Sequence, residues 1–269
     1  MLAAEAMHEA SKRKKKERIM QILAAVKVVP DDQDIVASAD GSLDFSKARP
    51  VVSEYDLNVI EAAAQLAEKT DSVVKTISVG PTNIDDSKLK KNILARGVDE
   101  LNFVLNDAYD GIDAFATAQL LAKAADELGF DLIMVGDGSA DLYAKQVGVQ
   151  LANKLGIPYI CGVVSCESDG SVLTCRRMLE NELEAIEVSL PAVISILPDA
   201  ATPRICGMKD ILAAGKKPMN VTASDDNPEV KIDVISCKAP EQVERKCEIL
   251  DAGDEDAIET FVAALKAVL

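Results

Sequence analysis

After His8 the chain contains no histidine, and it contains no tryptophan anywhere. Without an imidazole in its body, neither a Ser-His-Asp nor a Cys-His nucleophilic arrangement can be assembled from its residues. The six cysteines, Cys161, Cys166, Cys175, Cys206, Cys237 and Cys247, never stand at Cys-x-x-Cys spacing. That spacing argues against zinc and iron–sulfur centres and suits reduced, mostly buried thiols. No stretch reaches the ~18 consecutive apolar residues of a membrane span. The body also lacks a basic patch: 29 Lys and Arg stand against 45 Asp and Glu, a net charge of −16 at pH 7. Nucleic acid and anionic membrane are therefore not the expected partners. The polar segment ahead of Met20 lacks the apolar core of a secretory signal, so the expected location is cytoplasmic. What these absences leave open is chemistry supplied by a bound cofactor or by a partner subunit.

What is there is apolar surface in alternating patterns. At 269 residues and 48% hydrophobic composition, the chain can build one large core with an appended arm. The cluster Lys12-Arg13-Lys14-Lys15-Lys16-Glu17-Arg18 belongs to a leader, residues 1–19, read as a disordered, solvated tail that is native or a vector remnant. Strand-like runs at 21–28, 73–79, 101–105 and 131–135 alternate with helical stretches at 56–69, 85–96 and 113–128. Ser53 and Asp56 offer capping oxygens to the first helix and Asp113 to the third, while Gly97 and Gly129 stop the second and third. Alternation of this kind predicts an α/β fold: a doubly wound, mostly parallel sheet with helices on both faces. Its ligand would sit at the carboxyl ends of the strands, near a switch in strand order.

After Pro158 four strand-like runs, 161–165, 172–176, 183–190 and 192–197, with Asp169-Gly170 as a hairpin turn, read as a small antiparallel addition. A short helix follows at 207–215, and residues 216–252 are polar and extended. Asp254 is expected to cap a terminal amphipathic helix bearing Ile258, Phe261, Val262, Leu265 and Val268. The expected domains are thus the leader, an α/β domain over 20–215, and a C-terminal arm over 216–269. Such an arm wraps something else or packs on its own domain.

The most informative stretch is Gly136 to Gln150. The apolar strand Asp131-Leu132-Ile133-Met134-Val135 runs into glycines and then directly into a helix carrying Val147, Leu151 and Leu155 on one face. Backbone N–H groups at a helix start have no intrahelical acceptor and carry the positive end of the dipole, so they hold phosphate without basic side chains. A plain tight turn is the competing reading of Gly136 and Gly138.

Several separated motifs share an order and spacing with one family. They are Val26-Lys27, Pro30 to Ile35, Asp40 to Lys47, Tyr55-Asp56-Leu57-Asn58, Gly136 to Ala144 and Pro191-Ala192-Val193. Over about 250 residues, all but the leader, the chain resembles the beta subunit of an electron-transfer flavoprotein, most closely the Fix-type bacterial branch. The resemblance implies an alpha subunit as partner, holding an FAD that carries the electrons, and a second nucleotide in the beta subunit: AMP, or a second FAD in bifurcating types, where NAD also docks as NADH. Donors and acceptors would be an acyl-CoA-type dehydrogenase, or a Fix-type quinone oxidoreductase with a ferredoxin-like protein. The chain itself would be a carrier and not an enzyme.

By the same resemblance the cofactor pocket is lined by Ala25, by Ser53, Glu54, Tyr55 and Asp56, by Val79, and by Gly136, Asp137, Gly138, Ser139, Ala140, Asp141, Leu142, Tyr143, Ala144, Lys145, Gln146 and Val147. The glycines with Ser139 leave room for the nucleotide, and Lys145 to Val147 offer N–H groups to phosphate. Asp141 is assigned to capping and Asp137 to a ribose hydroxyl. Tyr55 is either an aromatic near the alpha-bound flavin or an ordinary buried tyrosine. Pro203 to Leu212 aligns with a loop that grips partner dehydrogenases, with Met208 as its inserted side chain or else packed on its own helix. Asn181 and Cys175 depart from the family's usual residues in the hairpin that precedes Pro191. A stand-alone adenine-nucleotide sensor or hydrolase on the same scaffold is the competing function, and it predicts a stable monomer. A nicotinamide-dependent dehydrogenase lacks its Gly-x-Gly-x-x-Gly after the first strand, where Val26-Lys27 stands.

Overall fold

Alternate residues of the first strand, β1 (Gln21–Ala25), enter different cores: Ile22 and Ala24 on one side of the sheet, Leu23 and Ala25 on the other. Burial on both faces explains the unbroken apolar run, because no position is left for a solvent-facing polar residue. The computed structural model describes residues 19–241, 247–251 and 253–268, and the expectation for the leader lies outside them but for Ile19. The chain divides into two units, Met1–Val36 with Asp44–Ile235, and Ala37–Leu43 with Ser236–Leu269.

The first unit holds a nine-stranded sheet. Its strands are β1, β2 (Val73–Gly80), β3 (Glu100–Leu105), β4 (Leu132–Gly136), β5 (Tyr159–Ser168), β6 (Val172–Met178), β7 (Leu183–Ser189), β8 (Ala192–Ile196) and β9 (Met219–Ala223). Their order across the sheet is β7-β6-β5-β8-β4-β1-β2-β3-β9. From β5 to β9 every neighbouring pair is parallel; only β5–β6 and β6–β7 are antiparallel. The fold is α/β with a mixed, mostly parallel sheet. Because β2 and β3 lie to one side of β1 and β4 to the other, strand order reverses between β1 and β4, and their carboxyl ends bound a crevice.

Helices cover both faces. The core holding Ile22 and Ala24 also takes Val59, Ile60 and Leu66 of α1 (Glu54–Thr70) and Leu89 and Ile93 of α2 (Ser87–Leu94). The opposite core takes Ala118 and Leu121 of α3 (Ala114–Leu128) and Leu151 and Ala152 of α4 (Val147–Leu155). Asp113 caps α3 as expected, accepting from Ala116 N at 2.8 Å. Gly129 and Gly156 end α3 and α4 with φ of +69° and +67°, a backbone region that costs glycine nothing.

Four expectations need correction. The second helix is shorter than 85–96, because Asp86 caps it by accepting from Leu89 N and residues 82–84 form a separate 3-10 turn. The run at 192–197 is not antiparallel: β8 lies parallel between β4 and β5, so the antiparallel part is only β5, β6 and β7. Within the polar stretch 216–252, Met219–Ala223 is an edge strand parallel to β3. Finally, Asp254 does not cap the terminal helix; α6 (Ala257–Lys266), after the short α5 (Met208–Ala214), has Asp256 at its cap position with no side-chain cap bond.

Candidate functional site

Lys27 follows the end of β1 and reaches over the crevice at the reversal of strand order. Its backbone N–H donates to Asp56 Oδ2 at 2.7 Å and its ammonium meets Asp141 Oδ2 at 2.5 Å. The first contact ties β1 to the start of α1; the second ties it to the loop between β4 and α4. The loop spans ten residues, 137–146, so the glycines do not run directly into the helix as the sequence suggested.

Ser53 and Asp56 do not cap α1 with their side chains. Ser53 occupies the cap position without a cap bond, and its hydroxyl instead accepts from Ala140 N at 3.2 Å. Asp56 is turned back beneath the crevice, where burial pushes its carboxyl up to about 7 despite hydrogen bonds from the backbone N–H groups of Lys27 and Gly136. Side-chain capping is lost because two arriving backbones claim both oxygens first. Asp141 does not cap α4 either: it accepts from Lys27 and, at 2.5 Å, from Ser139 Oγ. Burial opposes the charge of Asp141, but those hydrogen bonds outweigh it and hold the carboxyl below its usual range.

The glycines are required by contact. A Cβ on Gly136 would stand 2.5 Å from Asp56 Oδ1 and 2.8 Å from Gly138 O, and one on Gly138 would stand 2.1 Å from Tyr143 Cδ2. Tyr143 thus lies over Gly138, against Tyr55 with ring centroids 5.0 Å apart. Tyr143 and Lys145 hold φ of +47° and +57°, conformations that cost L-residues roughly 1–3 kcal/mol each. Strain of this size concentrates at functional loops. Lys145 bonds Asp137 Oδ2 at 2.7 Å, and its ammonium lies 4.7 Å from the Tyr143 ring. The Lys27–Asp141 bridge is solvent-exposed on both sides, so it is worth only ~0–1 kcal/mol, whereas Asp137, in the other bridge, is buried. An incoming anion can displace Asp141 from Lys27 at little cost.

The structure brings Ala25, Ser53, Tyr55, Asp56 and the loop from Gly136 to Lys145 to one end of the sheet, with Val79 next to the end of β2. Glu54, Leu142 and Ala144 face solvent. Gln146 sits instead in a recess of about 240 Å³ with Asp113, Phe115, Gln150, Asn153, Lys154, Lys231 and Ile232. Val147 packs against the α3–α4 core. Met208 is exposed at the start of α5 and takes no part in the crevice. Two features escaped the sequence reading: the ammonium of Lys27, signalled only by its place just past β1, and Gly148, whose Cβ would press on Val135 at 2.8 Å and on Tyr159. Gly148 lets α4 approach the sheet.

The residues fit a phosphate-bearing ligand. Gln146, at the amino end of α4, supplies no side-chain cap, so the first-turn N–H groups remain available to an anion, and Lys27 and Lys145 lie beside the loop. Residues 42–227 match the family model for the electron transfer flavoprotein domain.

Proposed function

We propose a function from one premise, that this chain belongs to the electron transfer flavoprotein domain family. Members of the family typically act as electron carriers, bind FAD- or AMP-like cofactors and work with a partner subunit and redox proteins. The proposal is that this chain is the beta-type subunit of the Fix-type branch. Paired with a flavin-bearing alpha subunit, it would pass electrons from a dehydrogenase or NADH to a quinone oxidoreductase or a ferredoxin-type acceptor, with bifurcation if its own nucleotide is a second FAD.

The observation that carries this reading is the crevice between β1 and β4, where a strained, glycine-backed loop leads into a helix start that no side chain caps. A bound flavin supplies the electron chemistry. The chain's own residues bind and orient: the first turn of α4 receives phosphate, Lys27 exchanges the exposed Asp141 for it, Lys145 stays beside the loop on Asp137, and Tyr55 and Tyr143 offer ring faces. The lack of histidine after His8 suits such a role, because no proton transfer is asked of the protein. Releasing the nucleotides from purified heterodimer and counting them tests the proposal. One FAD with one AMP supports a simple carrier, and two FADs support bifurcation. Absence of any adenine nucleotide beyond the alpha-bound FAD overturns the beta-subunit site.

A further inference from the structure

Eleven residues, 197–207, join β8 to α5, with one 3-10 turn at Pro198–Ala200. They lead into a surface where Ile205 is 97%, Met208 77% and Leu212 67% exposed. A connection this long, bearing unburied apolar side chains, gains little from its own packing, and its shape must be imposed from outside.

One face of α1 imposes it. Asn58 Nδ2 donates to the carbonyls of Pro198 at 3.1 Å and Ala201 at 2.8 Å. One turn on, Glu61 receives Arg204 three times: backbone N at 3.2 Å, Nε at 2.6 Å and Nη2 at 3.1 Å. Glu68 takes a further bond from Nη2 at 3.0 Å, and Gln65 steadies Glu61 at 2.9 Å. From the turn just past α2, Arg96 Nη1 donates to the Arg204 carbonyl at 2.7 Å. Both backbone polar groups of Arg204 are therefore fixed, directly before Ile205. Glu61 is only 5% exposed, and a buried two-pronged guanidinium–carboxylate pair constrains direction as well as distance. Gly97, at φ +88°, makes room for it: a Cβ there would stand 3.2 Å from Arg204 Nη1.

We propose that Arg204, locked on Glu61, is the positioning residue of the partner-docking surface, holding Ile205, Met208 and Leu212 in the presentation that a flavoprotein dehydrogenase engages. This rests on the electron-carrier reading above. Cys206, half-buried in the same connection, reports on the lock without any partner.

The test uses the full chain co-expressed with its alpha subunit, as wild type, Arg204→Lys and Glu61→Gln. Lysine keeps the charge but cannot form the fork. Both variants are expected to speed iodoacetamide labelling of Cys206 severalfold, read by peptide mass spectrometry. With an acyl-CoA dehydrogenase as donor, both should raise the KM for the donor roughly tenfold while kcat stays within about twofold. Unchanged Cys206 labelling overturns the lock. Faster labelling with an unchanged KM overturns its docking role. Failure of the wild type to accept electrons from any dehydrogenase or from NADH overturns the carrier reading itself, while Cys206 still reports whether the lock exists.

Discussion

A carboxylate in the wrong medium is the most pH-sensitive feature of the crevice. Asp56 is buried under Gly136, and its folded-state value of about 7 lies above the usual 3.8. Between those values the folded chain holds a proton that the unfolded chain has released, so this group's contribution to stability is fully present below about pH 4. It is lost as pH rises through about 7, on the order of 4 kcal/mol in all. Asparagine keeps an acceptor for Lys27 N and cannot ionise. Urea unfolding of Asp56→Asn and wild type should show the variant gaining relative stability between about pH 4 and 7 and no further gain above. A difference that stays flat across that range would contradict the buried, proton-holding environment.

The loop and the helix it feeds act as one element. Gly138 faces the Tyr143 ring, so Gly138→Val must push that ring out of the loop's strained turn. Overpacking of this kind costs about 1–3 kcal/mol, and we expect nucleotide retention to fall roughly tenfold or more. Full retention after gel filtration would remove Gly138 from the site. This element also shows what the sequence could and could not tell. The strand of 131–135 and the helix from Val147 were legible because both bury regular apolar faces, and the glycines because only they allow close backbone approach. The side-chain roles of Ser53, Asp56 and Asp141 were not, since each depends on a donor arriving from a distant segment: the Ala140 N–H for Ser53, the Lys27 N–H for Asp56 and the Lys27 ammonium for Asp141. Strand β9 escaped because it is an edge strand with four of its five residues exposed, and an edge strand needs no apolar alternation to pair.

Across the whole chain, apolar surface is distributed in a way the nucleotide crevice does not explain. In the second unit, α6 exposes Ile258, Phe261, Val262 and Leu265, and none of its described residues is buried. Exposed apolar surface of this kind on a chain of net charge −16 marks an interaction face rather than a solvated one. The most direct measurement is the mass and absorbance of the chain purified alone and with a co-expressed flavin-binding alpha subunit, by light scattering coupled to gel filtration. A one-to-one heterodimer, yellow from bound FAD and formed only in co-expression, is the expected result; a colourless monomer that stays apart from the flavin-bearing subunit would overturn the beta-subunit reading.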